Sequence, residues 1–170
     1  MRRGVRLGID VGSVRVGVAR SDPDGILATP VRTVARSVAG DPASADPDIV
    51  EVLALVRDEE ALEVVVGLPR TLAGDEGAAA MAARKYAHVL AQGLAPVSVR
   101  LLDERFTTVD AHRALRESGV AGSRARRVVD QMAAVLILQS ALDQERGSGR
   151  PPGAPVGGKR RKPRGKDTRH

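Results

Sequence analysis

The stretch Leu7-Gly8-Ile9-Asp10-Val11-Gly12-Ser13 constrains this chain most. Val5, Leu7, Ile9 and Val11 alternate with Arg6, Gly8 and Asp10, which is the period of a β-strand. The apolar side chains then share one face and Asp10 takes the other. A carboxylate within a central strand is costly unless it is paired or holds a cation. A lone buried Asp satisfied by backbone or Arg is the plainer reading, and the rest of the chain decides between the two.

After the Gly12-Ser13 turn, Arg15 to Arg20 alternates again, predicting an antiparallel hairpin. Ser21-Asp22-Pro23-Asp24-Gly25 is a turn signal, and Ile26 to about Val34 reads as a third strand with Pro30 marking an edge or a bulge. Asp46 is placed to cap a helix with Pro47 in its first turn. Leu62 to Leu68 is a nearly continuous apolar run, as a central parallel strand requires. An Ala-rich helix follows from Asp75 to about Leu94, then a strand from Val97 to Leu102. Two further helices are expected, at about Val109–Ser118 and from a Ser123 cap to about Glu145. The order β-β-β-α-β-α-β-α-α predicts an α/β fold. Its mixed five-stranded sheet has three antiparallel strands and then two parallel ones, flanked by helices.

In such sheets the working crevice lies at the carboxyl ends of the parallel strands. Asp10 and Glu104, at the end of strand five, are expected to meet there. Asp130 lies on an almost wholly apolar helix, on a face shared with Ala133, Ala134 and Ile137. It either pairs with Arg126 or Arg127 one turn back or points into a polar site. Carboxylates converging without His or Cys suit hard cations, Mg²⁺ or Mn²⁺. With two such ions the chemistry is in-line phosphoryl displacement, water being activated at one and the leaving oxygen stabilised at the other, about 3.5–4 Å apart. His88, His112 and His170 have no ligand spacing and are expected at the surface. Asp110 suits helix capping and Asp103 a structural role.

Gly8-Ile9-Asp10-Val11-Gly12, Val66-Gly67-Leu68-Pro69, Asp103-Glu104-Arg105-Phe106-Thr107-Thr108 and Asp130 through Leu138 together resemble the YqgF family. This is a group of RNase H-like proteins described as pre-16S rRNA nucleases and as Holliday-junction-resolvase-like. The resemblance spans about residues 5–145. It implies that Asp10, Glu104 and Asp130 are the metal-binding triad of a nuclease that matures the 5′ end of 16S ribosomal RNA in the bacterial cytoplasm. Nucleic acid is then the expected partner, with precursor rRNA favoured over branched DNA. Four residues are candidates for substrate contact. Ser13 and Arg15 either touch backbone phosphates or merely form a hairpin turn. Arg105 either reaches the scissile phosphate or pairs with Asp103 or Glu104. Thr107 fits a helix cap better than a phosphate contact.

Three alternatives stand beside this reading. An actin-like ATPase also opens on Gly-x-Asp-x-Gly, but it needs a second such domain and a phosphate loop that this chain lacks. A junction resolvase would use the same metals. A non-catalytic nucleic-acid or ribosome-binding factor would keep the fold.

Charge separates the chain into two parts. Residues 147–170 hold 8 of the 27 Lys+Arg but 1 of the 21 Asp+Glu. Residues 1–146 are therefore expected to form the folded domain and 147–170 a disordered basic tail. The absence of Cys excludes disulfides and thiolate metal sites. No apolar run reaches spanning length, and Met1-Arg2-Arg3-Gly4 runs straight into the first strand. A cytoplasmic protein without membrane contact, monomeric or weakly dimeric, is the expectation.

Overall fold

The computed structural model describes residues 1–37, 40–106 and 122–157. The expected helix at 109–118 lies outside them, and with it Thr107, Asp110 and His112. So do His170 and the basic cluster 159–162.

Six strands form one sheet: β1 (Arg6–Val11), β2 (Arg15–Ser21), β3 (Ala28–Ala35), β4 (Glu63–Leu68), β5 (Ser98–Asp103) and β6 (Ala154–Pro155), in the order β3-β2-β1-β4-β5-β6. β1, β2 and β3 are antiparallel neighbours, and β1, β4 and β5 run parallel, as the sequence predicts. Helices α1 (Pro47–Asp58) and α2 (Ala78–Leu94) cover one face. Helix α3 (Ser123–Ser148) covers the other. Leu7, Ile9 and Val11 join the larger core with Val52, Tyr86 and Leu90. The face that carries Gly8 and Asp10 therefore turns toward α3.

Several boundaries differ from the sequence reading, each for a local reason. β3 starts at Ala28, because the Asp22 carboxylate accepts the N–H groups of Ile26 (2.7 Å) and Leu27 (2.8 Å) and holds both residues in a turn. Pro30 does mark a bulge: Val18 pairs with Arg32 but Ala19 with Pro30, so Val31 is the extra residue. Asp46 occupies the N-cap position of α1 without a side-chain cap bond, since its carboxylate accepts the Ala43 N–H instead (2.8 Å). α2 starts at Ala78, because Asp75 and Glu76 belong to a loop closed by Thr71 and Arg70.

The largest difference is at the C-terminus. α3 continues through Ser148 and ends on Gly149 in the left-handed conformation (φ 68°). The chain then returns to the sheet, where β6 pairs antiparallel with β5 and the Val156 N–H donates to the Val99 carbonyl (2.9 Å). Residues 147–157, expected to begin a disordered tail, are thus built into the fold.

Candidate active site

Asp10 is the fifth of the six residues of β1 and is fully buried. Its cross-strand neighbour on β2 is Gly17. Ile9 is in register with Val66 on β4, so the next residue along, Gly67, lies beside Asp10 on the other side. These two glycines make the site possible. A Cβ on Gly17 would lie 2.2 Å from the carbonyl oxygen of Asp130, and one on Gly67 would lie 2.3 Å from Oε1 of Glu104. Glycine thus brings the α3 backbone down against β2 and lets the Glu104 carboxylate lie over β4. Glu104 opens the single 3₁₀ turn (Glu104–Phe106) that follows β5, and it too is fully buried. Asp130, in the first turns of α3, is 6% exposed.

The three carboxylates are therefore brought to one face of the sheet, at the carboxyl end of β1, β4 and β5, as the sequence suggested. Among the described residues, however, no three His, Cys, Asp or Glu side chains are drawn together closely enough to cage a metal ion. Asp130 is engaged elsewhere: Nε of Arg15 donates to its Oδ2 at 2.7 Å. Neither expected reading of Asp130 anticipated this partner, which comes from β2 rather than from Arg126 or Arg127 one turn back. Arg126 instead lines a cleft of about 180 Å³ with Gly12, Ser13, Val14, Arg15 and Asp130.

Arg105 pairs with Asp103 through its guanidinium, Nε donating to Oδ1 (3.1 Å) and Oδ2 (3.0 Å) and Nη2 to Oδ2 (2.7 Å). That guanidinium holds the Asp103 carboxyl below the usual carboxylate range. Arg70 joins them, reaching Asp103 (3.4 Å) and Glu76 (2.7 Å), while Arg84 holds Glu76 from α2 (2.6 Å). The chain on either side of Glu104 is thereby fixed, and Asp103 has the structural role expected of it. His88 is exposed beside Gln92.

Sequence reasoning gave neither Gly17 nor Gly67 its part in making room for the site. The signal for the glycines was present, since a glycine inside a strand often marks a close approach by something else.

Buried acids at the carboxyl ends of parallel strands, on a sheet that opens with an antiparallel meander, define an RNase H-like α/β protein. The solved structure of RuvC from T. thermophilus in complex with a Holliday junction substrate shares this fold, with a TM-score of 0.51 at 15% identity over 90% of this chain and 99% of that one. The chain belongs to the RuvX family, described as Holliday junction resolvase, whose model matches residues 4–144. This is the YqgF family that the sequence motifs resemble. Relatives from Streptomyces coelicolor and a Nocardioides species are 57% and 59% identical to it, and each is named "Putative pre-16S rRNA nuclease". The alignments cover 92% and 90% of this chain, and 90% and 96% of theirs. No helix of the described residues is long and apolar enough to cross a membrane.

Proposed function

We propose that this chain is a metal-dependent nuclease that hydrolyses phosphodiester bonds, and that its substrate is the 5′ end of precursor 16S rRNA in the bacterial cytoplasm. One observation carries the nuclease reading: Asp10, Glu104 and Asp130 are buried on one sheet face, with glycines at Gly17 and Gly67 clearing space for them. Buried acids are retained at such cost where they do chemistry. The names of the relatives support the choice of RNA.

The donor set is all carboxylate, which fits Mg²⁺ or Mn²⁺. Asp10, Glu104 and Asp130 would hold the cation, which supplies an activated water and charge stabilisation at the phosphate. Asp10 is the fixed member, clamped between two strands. Asp130 accepts from Arg15, so to hold a cation it would share its carboxylate between Arg15 and that cation. Ser13 and Arg15 lie beside Asp130 and contact the substrate backbone. Arg105, the residue after Glu104, adds a further substrate contact. Arg105 must then divide its guanidinium between Asp103 and a phosphate.

The family description favours a second reading, resolution of four-way DNA junctions. The test is parallel incubation of precursor rRNA and a four-way junction in Mg²⁺ and in Mn²⁺, with the wild type and Asp10→Asn. RNA cleavage that falls more than about 100-fold in the variant is the expected result, since loss of a ligand exceeds the effect of losing its supporting partner. Cleavage of the junction alone selects the second reading. Binding without cleavage of either makes the chain a non-catalytic factor.

A further inference from the structure

The cleft beside Asp130 holds more hydrogen-bond donors than the described residues use. The turn at its wall is tight: the Gly12 N–H donates to the Arg15 carbonyl (2.8 Å), and Arg36 braces it from behind through Nη1 to the Gly12 carbonyl (3.1 Å). Among the described residues, the N–H groups of Ser13 and Val14 and the Ser13 hydroxyl meet no acceptor, and both residues are exposed. Arg15 spends only Nε on Asp130, and its two terminal amino groups face no described acceptor. Arg126 makes one long bond, Nε to the Gly122 carbonyl at 3.4 Å, and pairs with no described carboxylate. Among the described residues, the cleft thus carries two guanidinium groups and one carboxylate, and that carboxylate is paired with Arg15.

An excess of donors and one unmatched positive charge call for a ligand that is anionic and rich in acceptors. A phosphodiester group meets both needs, and arginine forks suit its oxygens. The cleft lies on the Asp130 flank of Asp10, at the β1–β2 turn, whereas Glu104 lies over β4 on the opposite flank. A phosphate seated here is therefore a neighbour of the one at the acids. We infer that Ser13, Arg15 and Arg126 form a second phosphate site, one that grips the nucleic-acid backbone beside the scissile bond. This inference rests on the nuclease reading for the identity of its ligand. It makes Arg126 a substrate-binding residue and gives Arg15 a double part: its Nε orients Asp130 while its outer amino groups hold the neighbouring phosphate.

The test separates binding from cleavage. The full chain is titrated in EDTA against labelled single-stranded RNA and DNA of one sequence, over a series of salt concentrations, by fluorescence anisotropy. Arg126→Gln is expected to bind about tenfold more weakly, the worth of one charge-assisted hydrogen bond. The slope of log affinity against log salt should become shallower by about 0.7, the value for one phosphate contact on a single strand. Arg126→Lys should restore the slope, and RNA and DNA should lose alike. Arg126 is exposed in the first turn of α3, so an unchanged circular-dichroism melt accompanies the result. Wild-type affinity and slope in Arg126→Gln overturn the inference, as does a loss confined to RNA, which would point to the ribose. If binding falls but the wild type cleaves nothing in Mn²⁺, the phosphate site stands and the nuclease reading fails. If the wild type cleaves and Arg126→Gln binds normally, only the phosphate site fails.

Discussion

Gly17 and Gly67 differ in what an added methyl group would strike. At Gly17 the obstacle is the backbone carbonyl of Asp130, which cannot move without the helix. Gly17→Ala should therefore destabilise the protein by about 1–3 kcal/mol, the cost of overpacking a filled interior, measured by urea unfolding. At Gly67 the nearest obstacle is Oε1 of Glu104, the end of a side chain, with Cδ1 of Ile137 at 2.5 Å. Gly67→Ala should push that carboxylate aside and depress cleavage far more than its loss of stability explains, seen by comparing turnover with the unfolding midpoint. Asp10 was legible because an acid in an apolar strand is conspicuous. The glycines were legible as strand residues only, since their purpose lies in elements distant in the chain that pack against them: Asp130 of α3 for Gly17, and Glu104 and Ile137 for Gly67. The partner of Asp130 was missed for the same reason: helical spacing points one turn back to Arg126, and the pairing residue stands 115 positions earlier.

Helix α3 runs along the sheet with a charged group buried at each end. Near its start Asp130 meets Arg15. Near its finish the buried Glu145 accepts from Arg2 (2.9 Å) and from Arg6 (3.2 Å), and Arg2 also reaches the buried Glu63 (2.9 Å). Burial pushes the Glu145 carboxyl up, but the hydrogen bonds from Arg2 and the charges of Arg6 and Arg2 outweigh it and hold it down at about 2. A carboxyl depressed on folding contributes stability that is full above its unfolded value of about 4.5 and is lost as pH falls through about 2. Glu145→Gln should therefore be less stable than wild type at neutral pH by about 3–5 kcal/mol, since Arg6 stays buried without its counter-charge. The gap should narrow between about pH 4.5 and about pH 2. Urea unfolding of both proteins across that range measures it; a constant gap would mean that the carboxylate's charge is not what holds this end of the helix. The existence and direction of β1 to β5 and of the three described helices could be read from hydrophobic period and turn residues, whereas β6 lay in the stretch expected to be a disordered tail. This end-clamp could not be read either, because Arg2, Arg6, Glu63 and Glu145 become neighbours only when the sheet and α3 meet.

At the scale of the whole molecule, charge and fold divide at a different point from the one composition suggests. Composition places the break near Gly147, where Gly, Ser and Pro become frequent. The chain beyond it is nevertheless tied to the sheet. Arg100 donates to the carbonyls of Pro152 and Gly153, Gln144 accepts the Gly153 N–H (3.1 Å), and Pro152 is buried. Proline and glycine here serve a tight return rather than a linker. A Cβ on Gly153 would lie 2.1 Å from the Leu101 carbonyl, and its φ of 58° suits glycine. The charge excess begins later still: residues 158–170 contain 7 Lys and Arg and one Asp, which is the whole formal +6, while residues 1–157 hold 20 charges of each sign. Two truncations should therefore separate the two properties. Ending the chain after Gly157 should leave stability within about 0.5 kcal/mol, since no described contact is lost. It should also flatten the salt dependence of nucleic-acid binding, by about 0.7 in slope for each phosphate contact that the basic residues had made. Ending it after Ser148 should in addition remove β6 and bare the β5 edge, lowering the melting temperature by several degrees, about 2–8 °C for each 1 kcal/mol lost. Scanning calorimetry on the two truncations and salt titrations against RNA test both halves. A shorter protein that melts with the longer one would make β6 an ornament of the sheet, and an unchanged salt slope would leave the gripping of nucleic acid to the cleft beside Asp130.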